Sequence, residues 1–224
     1  MMKKLFLSTC CAALVVTGAA SASPLTDYSA GKVAIDINYS NQSVDLNNPG
    51  LDPLSFNKKS NWDFAGTFGV GNKFAFQYIH ANTDSNPISY VSGSDTYLHS
   101  YKLNTKQLNV LYQLDKNLSV YTGIARVDGT DTDAGVNFPS NTKNIWQIGL
   151  VGTTKAADKL TGFAGVGVGK DLMTYTIGLG YEIAPQLEFN VIYDYKKVRG
   201  LRDSVTDDYS ITAKGMKYGL TYKF

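Results

Sequence analysis

Apolar side chains recur at every second position through most of this chain. Val33, Ile35, Ile37 and Tyr39 alternate with Ala34, Asp36, Asn38 and Ser40, and Leu108, Val110, Tyr112 and Leu114 flank Asn109 and Gln113. Met173, Tyr175, Ile177, Leu179 and Tyr181 repeat the pattern, as do Leu187, Phe189, Val191, Tyr193 and Tyr195. A period of two belongs to a strand with one greasy and one polar face. It predicts about ten strands, at 32–41, 62–70, 73–82, 104–114, 118–127, 144–154, 160–168, 172–183, 187–197 and 209–224. The seventh is weakest, with Gly162 and Ala164 on its outward face. Eight or twelve strands, on either side of roughly ten, are the alternatives.

The links alternate in length. Gly71-Asn72, Asp115–Asn117, 155–159 and 184–186 are short, whereas 42–61, 83–103, 128–143 and 198–208 are long and polar; the short link 169–171 breaks the rhythm. That alternation predicts an all-β, up-and-down antiparallel barrel with turns at one end and loops at the other. Tyr39, Trp62, Tyr78, Trp146 and Tyr195 fall at the loop ends of their strands, and Phe74, Tyr112, Tyr181 and Phe224 at the turn ends. Such rings favour the headgroup level on either side of a bilayer.

The first residues read differently. Lys3 and Lys4 precede an apolar run from Leu5 to Val16, and Ala20-Ser21-Ala22 is an A-x-A cleavage site. The pattern predicts a secretory signal peptide over 1–22 and a single barrel domain over 23–224, exported by the Sec route. Cleavage after Ala22 removes Lys3, Lys4, Cys10 and Cys11, leaving equal numbers of basic and acidic side chains and no cysteine. Disulfides and thiol chemistry are then excluded, and neutral charge argues against nucleic acid as a partner.

The last strand carries a motif. Met216, Tyr218, Leu220, Tyr222 and Phe224 are apolar at alternate positions, with Lys217, Gly219, Thr221 and Lys223 between them. The segment resembles the C-terminal β-signal of bacterial outer-membrane β-barrels, which reads polar-x-Gly-x-x-aromatic-x-aromatic. Lys217, Gly219, Tyr222 and Phe224 occupy its positions. The resemblance, closest in scale to the small OmpA/OmpX-type or porin-like barrels, implies an integral outer-membrane protein. It also implies recognition by the barrel-assembly machinery and contact with outer-membrane lipids and lipopolysaccharide.

Candidate chemistry is sparse. Gly165–Lys170 departs from a phosphate loop, because Ala164 stands where its first Gly belongs and Asp171 where Ser or Thr should bind Mg²⁺. Asp128, Asp131 and Asp133 approach calcium-loop spacing without the final Glu. His99 and Ser100 are adjacent, which on an extended chain sends them to opposite faces. Lys196, Lys197, Arg199 and Arg202 cluster near a loop, where they suit lipopolysaccharide phosphates. No catalytic group, cofactor or metal is expected. Inward parity falls on Asp36, Asp63, Glu182, Glu188, Asp194, Lys196, Lys217 and Lys223. These charges suit either the constriction of a narrow, porin-like pore for small solutes or the seal of a filled lumen. The pore is the leading expectation. A closed structural or adhesive barrel is the alternative, and a lipid-modifying or proteolytic barrel enzyme the third. Asp36 and Lys217 are expected to meet across the closing seam.

Overall fold

The structure, a computed structural model, describes residues 23–92, 94–204 and 208–224. The expected leader, with Ala20 and Ala22, lies outside the described residues. The elements are β1 (Val33–Asn47), β2 (Leu54–Gly71), β3 (Phe74–Asn86), β4 (Ile88–Ser92), β5 (Asp95–Asp115), β6 (Leu118–Asp133), β7 (Val136–Pro139), β8 (Lys143–Ala157), β9 (Leu160–Gly169), β10 (Leu172–Ala184), β11 (Leu187–Leu201) and β12 (Tyr209–Lys223). All but β4 and β7 form a closed antiparallel barrel of ten strands, each paired with its neighbours in the chain. β12 returns to β1 in register from Ala34↔Lys223 to Asn47↔Ser210, which removes the sheet edge.

The turns are tight for a local reason. Gly71 pairs with Phe74 around Asn72 and Lys73, whose φ values are 52° and 69°. Two successive left-handed residues make the type I′ turn that matches strand twist. The turn is therefore Asn72-Lys73, one residue later than the sequence suggests.

The larger difference lies at the loop end. Most of 42–61, 83–103 and 128–143 is strand. β5 runs for 21 residues, whereas β9 runs for 10, so one wall stands far above the other. β4 continues β3 beyond Pro87, whose missing N–H interrupts the ladder. Together β4, the upper parts of β5 and β6, and β7 make a four-stranded sheet projecting from the rim.

Along β1, β2 and β12 the extensions are polar outward because the alternation inverts. On β1 the apolar positions are odd up to Tyr39 and exposed, then even at Val44 and Leu46 and buried. On β12, Met216, Tyr218 and Leu220 face outward, while Ile211 and Ala213 face in. Against lipid the outer face must be apolar. Beyond it the outer face meets water, and the inner face holds a core. On β2 a register shift between Lys58 and Asp63 turns Phe56 inward as well.

Candidate functional site

The lumen is layered. At the loop end, Val44, Phe56, Tyr101, Leu103, Val198 and Ile211 belong to one buried apolar cluster. At the turn end a second cluster contains Leu111, Tyr121, Phe163 and Ile192, together with Leu25 and Tyr28 from the segment before β1. That segment is tied down: Gly71 N–H donates to Tyr28 O at 2.9 Å, and Gln113 Nε2 to Thr26 O at 2.7 Å. Inward glycines of β8, β9 and β10 accommodate rings. A β-carbon on Gly167 or on Gly149 would collide with the ring of Tyr121, and one on Gly178 with Phe163.

Between the clusters lies a polar belt. Lys217 Nζ sits 2.8 Å from Asp63 Oδ2 and 3.0 Å from Asp194 Oδ2, with all three side chains buried. Asp194 also accepts from Gln42 Nε2 at 3.1 Å and Thr176 Oγ1 at 2.8 Å, and Asp63 from the Asn82 N–H at 3.2 Å. Lys196 is buried and donates to Thr105 Oγ1 at 3.2 Å. On the opposite wall Gln147 Nε2 bridges Gln107 and Asn109. The alternation selects these inward positions, and barrel curvature brings together residues 131 and 154 apart in the chain.

Asp36 and Lys217 do not meet. Thr221 lies opposite Asp36, and Ser40 opposite Lys217. The Thr221 hydroxyl donates to Asp36 Oδ1 at 2.6 Å and accepts from Asn190 Nδ2 at 2.8 Å. Lower still, Lys223 Nζ pairs with Glu188 Oε1 at 2.7 Å, and Glu182 is half-buried near the same rim. Of the closing motif, Lys217 turns into the lumen and Tyr222 and Phe224 lie outside, their rings 5.4 Å apart. Gly219 packs against Asn38, whose side chain occupies the place of a β-carbon.

The projecting sheet holds a second cluster. His99 Nε2 lies 2.6 Å from Asp131 Oδ1, and Phe56 meets the imidazole edge-on at 5.0 Å. Burial alone pushes the imidazole down, but the hydrogen bond and charge of Asp131, with Asp133 behind, carry it above its ordinary 6.5. Tyr90 stacks on Tyr97 at 5.6 Å and donates to Asp133 Oδ1 at 2.8 Å. The expected calcium-like loop is thus largely strand, with Asp131 and Asp133 already hydrogen-bonded. Among the described residues no group of three or more His, Cys, Asp or Glu side chains is placed to hold a metal. Ser100 pairs with Thr132 on the face opposite His99. The basic cluster also divides: Lys196 points inward, Arg202 pairs with Asp208 at 3.2 Å, and Lys197 and Arg199 line an outer cleft of about 300 Å³ with Asn47, Asn48 and Ser210.

The sequence matches no protein-family model. It matches no curated protein. Solved structures do match in shape. The outer-membrane protease OmpT of Escherichia coli superposes with a TM-score of 0.55 at 12% identity, over 92% of this chain and 99% of that one. This fold is a bacterial outer-membrane β-barrel. The attachment invasion locus protein Ail of Yersinia pestis gives 0.42 at 15% identity, over 87% and 99% of the two chains. Neisserial surface protein A gives 0.43 at 13%, over 86% and 96%. In barrels of this fold the outward apolar band faces lipid, the turn end the periplasm, and the loop end the exterior.

Proposed function

We propose that this protein is a closed, non-enzymatic surface barrel whose projecting sheet makes contacts outside the cell. The carrying observation is the packing of the lumen, with an apolar cluster at each end and a hydrogen-bonded ionic belt between. That arrangement favours the closed alternative over the narrow pore placed first from sequence. The projecting sheet supports the contact role. Val91, Leu98 and Val136 are 71%, 56% and 54% exposed on it, and β4 and β7 leave short free edges of the kind that accept an added strand. Conductance in planar bilayers tests the reading: the expected result is no steady single-channel current, and a stable ohmic current from the purified barrel would restore the pore.

Further parts of the reading follow from particular residues. Lys197 and Arg199 lie above the stacked Tyr175 and Tyr195, at the height where lipopolysaccharide phosphates sit. The alternating aromatics of β12 suit recognition by the barrel-assembly machinery. Lys3, Lys4 and Ala20-Ser21-Ala22 suit Sec export and cleavage before Ser23. One observation favours an enzyme as a second reading, the half-buried His99–Asp131 pair. Cleavage of peptides, lost on His99→Ala, would establish it.

A further inference from the structure

Two buried acceptors near the periplasmic floor, Glu188 Oε2 and Asn190 Oδ1, lack a donor among the described residues. They face one small space. A β-carbon on Gly180 would lie 2.9 Å from Asn190 Oδ1, 3.0 Å from Glu188 Oε2 and 3.2 Å from Ser23 Cβ. Ser23 is itself buried. Its hydroxyl accepts from Lys223 Nζ at 2.9 Å, and the same ammonium holds the other Glu188 oxygen. The Asn190 amide nitrogen is committed to Thr221. Ser23 therefore stands beside two acceptors that need protons, and buried acceptors are normally satisfied.

We infer that the barrel floor is a binding site for the chain's own processed amino terminus, with the Ser23 α-ammonium donating to Glu188 Oε2 and Asn190 Oδ1. The inference rests on the reading that a signal peptidase cuts between Ala22 and Ser23. Hydrolysis there consumes one water; the new carboxylate leaves on Ala22 and the new ammonium stays on Ser23. Before the cut that nitrogen is an amide with one proton and no charge. Afterwards it carries three protons and a positive charge, enough to serve both acceptors and pair with the carboxylate. Cleavage thus creates the group that fastens Leu25 and Tyr28 into the turn-end core. Maturation and sealing of the floor become one event.

The first measurement is the amino-terminal sequence of the barrel taken from the outer membrane. A first residue other than Ser23 removes the processing reading and this inference with it. Given Ser23, four barrels are compared in detergent: the mature chain and one retaining Ala22, each with Glu188 and with Glu188→Gln. Retaining Ala22 turns the ammonium back into an amide. It is expected to lower the melting temperature by roughly 4–8 °C when Glu188 is present, and to have at most a small effect in the E188Q background. Equal shifts in both backgrounds overturn the inference while leaving the processing reading intact. A second measurement needs no variant. Periodate oxidises the amino alcohol of a free amino-terminal serine. Reaction at Ser23 is expected to be at least tenfold slower in the folded barrel than in denaturant, and equal rates overturn the inference.

Discussion

Replacing Lys217 by Met should destabilise the barrel by about 3–5 kcal/mol, the cost of stripping one partner from a buried ionic group. The change keeps length and apolar volume, so packing adds little. What it removes is one ammonium 2.8 Å from Asp63 Oδ2 and 3.0 Å from Asp194 Oδ2, in a place where Lys217 is 4% exposed and Asp63 1%. Two carboxylates are then left without their shared cation. Each keeps some compensation: the Asn82 N–H for Asp63, Gln42 and Thr176 for Asp194, and the charge of the buried Lys196 for both. Those interactions hold the cost within this range. The double variant Lys217→Met, Asp63→Asn removes one cation together with one carboxylate, leaves the buried Lys196 to balance Asp194, and should cost less than about 2 kcal/mol, since no orphaned charge remains. Reversible urea unfolding from lipid vesicles measures both. A single variant costing under about 1 kcal/mol, or a double variant costing as much as the single, would refute the view that the belt is a charge-balanced seal.

Three further outcomes follow from other parts of the molecule. Leu150→Arg, on the lipid face at mid-strand, should cost about 2–4 kcal/mol in the same vesicles, and Trp146→Arg at the rim about 0–1; equal costs contradict the placement of the bilayer. The His99–Asp131 pair raises the folded-state pKa of the imidazole, so its contribution is fully present below the unfolded value of 6.5 and fades as pH rises through the folded value. Amide exchange in upper β5 and β6 should therefore quicken as pH rises above 6.5, beyond the intrinsic base-catalysed rate, and His99→Gln should abolish that excess; an unchanged excess in the variant excludes the pair as its source. Deleting Phe224 should reduce outer-membrane levels in cells far more than folding yield in detergent, because the ring adds only about 1.5–3 kcal/mol of burial; normal levels in cells dismiss the assembly role.

The lipid-facing half of the barrel was legible because its constraint is local. Each outward residue between the two interfaces must be apolar, whatever its neighbours, and Leu179, Ile148 and Phe76 advertise this one position at a time. The upper half was missed because its alternation survives with opposite phase. Val44 and Leu46, or Leu103 among Lys102 and Asn104, look like scattered apolar residues in a polar loop until the phase change is recognised as the water boundary. That phase change was the available signal. The inward parity of Lys217 and Asp63 was equally legible, but their contact was not: β1 lies between the strands that carry them.

The sequence alone determined the fold class and the face on which each membrane-spanning residue lies, since a period of two and a bilayer leave no other arrangement for such strands. It also marked the closing strand. Only the tertiary structure decided what fills the barrel. Whether Gly149 and Gly167 open a lumen or admit Tyr121, and whether Asp36 faces Lys217 or Thr221, depend on stagger between strands and on curvature. Those quantities are set by closure of the whole sheet and appear in no single stretch of the chain.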